Sequence, residues 1–333
     1  MSPAYGAAID PMVSAATAGD EDAFAELVQR HRRELHVHCY RMLGSFQEAE
    51  DRVQETFLRA WRSRHTFEGR STYRAWLYRI ATNACLESLR RRPRQVPAPE
   101  AGGRLPPYPD YPGLQPSPDR LLDELEATEP DAVAVARDTI GLAFLALIQL
   151  LPPKQRAVLI MRDVLAFSAA ETAGVLDDTV AAVNSALQRA RATLGRYRPH
   201  DSDHLSTGPA TEDELRLVQQ YIEAHERADP AAVVAMLAED ARLTISPMGM
   251  VWDGKDDITP DFMANMNSLG EFRCVATGAN RQPAVANYLR TWEDDVYRAF
   301  SLVVLGIQDG QVVDMTTFVE PALFEAFGLP ASL

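Results

Sequence analysis

With 333 residues, 46% hydrophobic and 24% charged, the chain is long enough for two or three domains and too apolar to be disordered. No apolar run approaches the ~18 residues of a membrane helix, and the N-terminus lacks a basic stretch followed by an apolar core, so the expected location is the cytoplasm with no membrane contact. Three dispersed cysteines, Cys39, Cys85 and Cys274, suggest neither a disulfide framework nor a zinc knuckle. The net charge of −14 argues against nucleic acid until it is divided along the chain. Residues 1–93 carry 14 basic against 12 acidic groups (+2), residues 94–200 carry 11 against 13 (−2), and residues 201–333 carry 8 against 22 (−14). The whole excess sits in the last third, where an acidic module can compete with DNA for a basic surface; solubility is the plainer explanation.

The apolar periodicity predicts a helix over 20–44, with Phe24, Leu27, Val28, Leu35, Cys39, Met42 and Leu43 inward and Asp20 as the capping residue. His36, His38 and Cys39 stand one or two positions apart and so point in different directions on a helix, which speaks against a metal site. A second helix over 46–65 turns Phe46, Ala49, Val53, Phe57, Ala60 and Trp61 to the core. Its Glu48, Asp51 and Glu55 fall at i, i+3 and i+7, one outward stripe of carboxylates. Such stripes are usually solvated faces; the sharper reading is a docking surface for a partner's arginines. No neighbouring group would desolvate them, so no catalytic role is expected.

A third helix, 72–92, places Tyr73, Trp76, Leu77, Ile80 and Ala84 on one face, with Tyr78, Arg79 and Asn83 elsewhere. Arg90, Arg91 and Arg92 sit at the negative end of its dipole, and Pro93 stops it. Aromatics interleaved with arginines suit single-stranded DNA, where bases stack on rings and phosphates meet guanidinium groups. Nine prolines within 93–118 predict an extended, semi-stiff linker, followed by a short acidic helix around 119–128.

The nearly all-apolar stretch 140–151 predicts a buried helix, and Pro152-Pro153 opens the next, reaching about Leu165. Ser168 caps a short helix over 169–176, Asp177-Asp178 turn the chain, and Thr179 caps a longer helix through Leu194. This is the helix-turn-helix pattern, with Asn184, Gln188, Arg189 and Arg191 exposed on the second helix for the major groove. Asp177 stands where such turns usually carry glycine. A second linker spans 199–210. Beyond it, helices over 212–228 and 230–238 precede strands over 242–246, 272–277, 284–291, 296–307 and 312–318, with Asp309-Gly310 a strong hairpin signal. This α+β unit is expected to enclose an apolar pocket. Tyr221, His225, Asp253 and Asp261 are its candidate acid/base groups, without a paired constellation to make them catalytic.

On EAEDRVQETFLRAW, YRAWLYRIATNACLESLRRR, LPPKQRAVLIMRDV and AAVNSALQRARATL, residues 20–195 resemble a bacterial RNA polymerase sigma factor of the extracytoplasmic-function group. The last 120 or so residues resemble, at the level of pattern, the SnoaL-like cone shared with ketosteroid isomerase. The fold so implied is multidomain: an all-α region 2 (15–93), a Pro-rich linker (94–130), an all-α region 4 with the helix-turn-helix (131–198), a linker (199–210) and an α+β SnoaL-like domain (211–333). The resemblance implies a transcription initiation factor with no catalytic residues, cofactor or metal. Its partners would be core RNA polymerase, through the clamp helices of the largest subunit and the flap, and promoter DNA, both double- and single-stranded.

By position Glu48, Asp51 and Glu55 would dock on the clamp. Phe67, Trp76, Tyr78 and Asn83 would hold the melted near promoter element, with Arg79 and Arg90 on phosphates. Thr179, Asn184, Ser185, Gln188, Arg189 and Arg191 would read the farther element, and the Pro-rich linker would thread past the polymerase active centre. The C-terminal domain would modulate activity; a small-molecule sensor or enzyme with a ligand in its pocket is the alternative. A stand-alone repressor would leave the aromatic third helix unexplained.

Overall fold

The computed structural model describes residues 10–91, 113–121, 141–196, 210–266 and 268–333. Their contacts define two compact units, one built on 10–91 and 148–195, the other on 113–121, 141–147 and 210–333. The expected acidic helix is described only as a 3-10 turn, Asp119–Leu121. Its remainder, the linker stretches 94–112 and 122–130, and most of the second linker (199–209) lie outside the described residues.

The first unit opens with α1 (Pro11–Ala18), which no apolar periodicity announces, and continues through α2 (Glu21–Leu43), α3 (Phe46–Arg62) and α4 (Tyr73–Arg90). Side-chain oxygens of Asp20, Ser45 and Thr72 accept the Ala23, Glu48 and Ala75 N–H groups at 3.0, 3.3 and 3.1 Å. Each satisfies a donor that a helix start would otherwise leave without a partner. The inward residues of these three helices, among them Leu27, Leu35, Cys39, Met42, Val53, Ala60, Leu77 and Cys85, are almost wholly excluded from solvent.

Four further helices follow: α5 (Leu142–Gln149), α6 (Pro153–Leu159), α7 (Ala169–Leu176) and α8 (Val180–Arg196). The helix expected to reach Leu165 changes register at Ile160, where a π turn runs to Val164 and the Leu165 N–H reaches back to the Ile160 carbonyl at 2.9 Å. Ala166 then takes φ 55°, and the chain delivers Phe167 onto α4. Ser168 and Glu171 cap α7 reciprocally. Asp177 ends it at φ 51° and ψ 54°, the left-handed position anticipated for this turn, and Thr179 caps α8 through the Ala182 N–H at 3.1 Å.

The second unit is a curved six-stranded sheet in the order β2-β1-β6-β5-β4-β3. Its strands are β1 (Leu237–Ser246), β2 (Met250–Asp253), β3 (Gly270–Ala279), β4 (Gln282–Thr291), β5 (Arg298–Gln308) and β6 (Gln311–Phe318). Only the β1–β6 pair is parallel, and irregularities in β1, β4 and β5 mark where the sheet bends. Helices α9 (Glu212–Glu226), α10 (Pro230–Ala235) and α11 (Lys255–Asn265) fill the concavity. The helix expected to reach Ala238 stops three residues earlier, because Leu237 already pairs with Val312. Both β2 and α11 escaped the sequence reading; β2 is a four-residue edge strand and α11 carries Pro260 in its interior, which argues against a helix. Tyr221, Ile222, Val285, Val303, Leu305 and Met315 pack between helices and sheet, so the anticipated apolar interior is occupied by a core of side chains. The convex face is covered by α12 (Leu323–Ala326), whose Leu323 and Phe324 pack with Phe327 on Tyr288, Leu302 and Phe318.

Candidate nucleic-acid interface

Of the acidic stripe on α3, Asp51 is exposed, while Glu48 and Glu55 are half-buried. Glu55 accepts the Arg59 Nε–H at 2.7 Å, and the Arg59 guanidinium forks onto Glu87 of α4 at 3.2 and 2.9 Å. Those hydrogen bonds hold the Glu87 carboxyl below the usual carboxylate range. The stripe thus borders a groove lined by Asp51, Arg52, Glu55, Arg59, Glu87 and Arg91. Leu58, 52% exposed, follows Asp51 and Glu55 at helical spacing and adds an apolar contact to the charged face. The sequence reading missed Leu58, because periodicity alone treats an outward leucine as noise.

Phe67, from the loop after α3, meets Tyr73 edge-on at 5.4 Å and Trp76 at 5.7 Å, and Tyr73 lies 5.3 Å from Trp76. Tyr73 is buried under the cluster, leaving Phe67 and Trp76 half-exposed above it. Arg79, Asn83 and Arg90 are exposed further along α4. Tyr78 departs from its assignment as a base-holding side chain: it is 1% exposed in this conformation. Its ring lies between His38 and Phe167 at 5.0 and 5.3 Å, and its hydroxyl donates to Glu34 at 3.2 Å. Position on α4 had suggested contact with DNA; packing by α2 and by Phe167 explains the difference.

Glu34 organises that corner. Burial alone would raise its pKa, but hydrogen bonds from His31 and Arg74, with the Arg74 charge, hold its carboxyl below the usual range. Arg74 reaches it at 2.6 Å and lies over the rings of both Tyr78 and Phe167. A second unanticipated residue, Arg156, is 4% exposed and donates to the carbonyls of Ile148, Gln149, Leu151 and Met42. It satisfies orphaned helix-end acceptors of α2 and α5 at once. Only the position of Arg156 at the start of α6 was visible in sequence; its burial was not.

On α8, Thr179, Asn184, Ser185, Gln188 and Arg189 stand exposed, while Val183, Ala186, Leu187 and Ala190 are buried beneath them. Arg191 differs from its neighbours: it forks onto Asp163 at 2.9 and 2.6 Å, a pairing that raises its pKa and ties it to the protein. In the second unit Tyr221 and His225 stack at 5.2 Å, and burial lowers the His225 pKa to about 4. Asp253 instead pairs with Arg242 at 2.6 Å, and Asp261 accepts from Asn265 on the surface of α11.

Two family models match the chain, Sigma-70 region 2 over residues 27–95 and Sigma-70 region 4 over residues 141–194. The ECF RNA polymerase sigma factor SigG of Mycobacterium tuberculosis (strain ATCC 25618 / H37Rv) is 38% identical over 340 residues, covering 98% of this chain and 90% of its own. The chain belongs to the ECF sigma factor family. As such it binds core RNA polymerase and takes part in promoter-directed transcription initiation. SigW of Bacillus subtilis (strain 168) is 30% identical over 190 residues, 53% of this chain and 89% of its own, so that likeness omits the C-terminal third. The crystal structure of the Mycobacterium tuberculosis extracytoplasmic function sigma factor SigJ matches 92% of this chain and 99% of its own at 22% identity, with a TM-score of 0.56. That likeness is one of fold and includes the C-terminal unit, a SnoaL-like curved mixed sheet with helices. Among the described residues no helix is long and apolar enough to cross a membrane.

Proposed function

We propose that this sigma factor divides its work among three surfaces and one regulatory domain. Glu48, Asp51 and Glu55, with Leu58 between the charges and the groove, dock on basic groups of the polymerase clamp. Phe67 and Trp76 receive unstacked bases of the near element, with Asn83 beside them and Arg79 and Arg90 on phosphates. Thr179, Asn184, Ser185, Gln188 and Arg189 read the farther element in the major groove. Tyr78 and Arg191 enter only when their present partners release them. The sequence boundaries 15–93, 131–198 and 211–333 remain the functional divisions we assign, acting in the bacterial cytoplasm, where polymerase and chromosome meet.

The observation carrying this reading is the aromatic cluster at the start of α4, two of its rings half-exposed beside three exposed polar and cationic side chains. The C-terminal domain is read as a modulator rather than as a sensor or enzyme. Its four candidate acid/base groups do not converge: Asp253 is ion-paired with Arg242, and Asp261 lies on the surface. Run-off transcription with purified core polymerase tests the assignment. Asp51→Arg/Glu55→Arg should fail to form holoenzyme, whereas Phe67→Ala/Trp76→Ala should form it and fail to open the promoter. Normal holoenzyme from the first variant, or normal opening by the second, refutes the surface concerned.

A further inference from the structure

The Pro-rich linker is expected to be solvated, yet Leu114, Gln115, Pro116, Ser117 and Pro118 are all buried. They lie against the turn joining β3 to β4. Asn280 and Arg281 make that turn at φ 55° and 61°, a two-residue hairpin geometry that aims successive N–H groups outward. The Asn280 N–H donates to the Ser117 carbonyl at 3.0 Å, and the Ser117 N–H returns to Asn280 Oδ1 at 2.8 Å. The Arg281 N–H donates to Asp119 Oδ1 at 2.7 Å. Gln115 reaches Glu320 at 2.6 Å, and Arg120 reaches the Ala326 carbonyl at 2.6 Å, so α12 and its approach form the far wall. Gly278 lets the segment in: a Cβ there would stand 2.3 Å from Asp119 Oδ2. Further along the connector, Leu142 packs into the apolar cluster of the convex face with Ala279, Phe318 and Phe324.

Seven backbone and side-chain groups of one short segment are thus matched on a single face, two of them through main-chain donors that no rotamer change can withdraw. We propose that this face of the C-terminal domain is a docking surface for the chain's own interdomain connector, and that productive engagement of polymerase displaces residues 114–121 from it. The proposal rests on the modulating role assigned above and names its point of contact. Covalent geometry gives the reason for displacement. Region 2 and region 4 are joined by the 50 residues from 92 to 141. With 114–121 docked, region 2 is tethered to the C-terminal domain through residues 92–113, which span at most about 70 Å however they run. Released, the same connector spans up to about 165 Å. A domain gripping its middle therefore limits how far the two DNA-reading modules can separate.

Hydrogen–deuterium exchange on the full-length protein tests this, because the Asn280 and Arg281 amides report occupancy of the face directly. In the free protein both should exchange at least tenfold more slowly than in Gln115→Ala/Asp119→Ala/Arg120→Ala, which leaves the C-terminal domain unaltered. Gly278→Val, made on the opposite side of the contact, should release the same connector residues. Adding core polymerase to the unaltered protein should raise exchange at both amides to the level of the triple variant. Equal exchange in free wild type and variant overturns the docking, and unchanged protection in the polymerase complex overturns the displacement. Gel filtration reads complex formation separately; failure to bind polymerase strikes the sigma assignment, and the hand-over falls with it.

Discussion

His38 shows how a residue that looks like a ligand in sequence becomes part of a core. Its Nε2 lies 2.9 Å from Thr82 Oγ1, whose one hydroxyl proton is already donated to the Tyr78 carbonyl at 2.7 Å. The imidazole must therefore donate through Nε2 and remain neutral, with Nδ1 bare. Full burial, aided by the charges of Arg41 and Arg74, pushes its pKa down to about 3. An unfolded histidine titrates near ~6.5. Because the folded value is the lower one, the unfolded chain binds more protons as pH falls through that window, and stability drains away. At pH 5 the loss from this residue should be about 2 kcal/mol. His36 is shifted the same way by burial, and so is His225 in the second unit. The melting temperature should therefore drop steadily from pH 7.5 to 5, and the His38 ring protons should show no titration step by NMR over that range. A step near pH 6.5 would contradict the assignment.

At the scale of helices, most of what the pattern predicted is present because local chemistry and packing agree there. Asp20, Thr72, Ser168 and Thr179 cap the helices they were expected to cap, and Asp309-Gly310 turns at φ 50° and 75° as a two-residue hairpin should. What could not be read was any contact between distant segments. Phe167 looked like a loop residue, yet it meets Tyr78 of α4 edge-on and lies under the Arg74 guanidinium. One aromatic side chain from the region 4 match thereby covers a tyrosine in the region 2 match. Phe167→Ala should remove an aromatic contact worth roughly 0.5–1.5 kcal/mol beyond its area and leave Tyr78 open on one side. We expect faster open-complex formation by the holoenzyme, with core polymerase affinity unchanged, measured by stopped-flow fluorescence from a base analogue in the near element. Slower opening would mean that Phe167 supports α4 rather than blocking it.

At the scale of the molecule, the charge division and the docked connector are two separable ways for the C-terminal domain to act. The first is electrostatic: an excess of −14 lies in residues 201–333, against none in the rest of the chain. Such repulsion toward DNA weakens as salt shortens the screening length from about 10 Å at 0.1 M to about 3 Å at 1 M. The second is mechanical and depends on Gln115, Ser117, Asp119 and Arg120, contacts at 2.6–3.0 Å that bulk salt screens far less. Removing residues 205–333 abolishes both at once, and it also strips Leu114 and Leu142, 3% and 1% exposed, of the surface that covers them. The truncated chain should accordingly bind an environment-sensitive apolar dye that the full-length protein does not. Its promoter affinity should exceed that of the full-length protein at 50 mM salt, and the comparison across a salt series separates the mechanisms. A gap that closes by 0.3 M assigns the control to charge. A gap that persists, and that the full-length triple connector variant reproduces, assigns it to the docked connector, which is the outcome the buried segment leads us to expect.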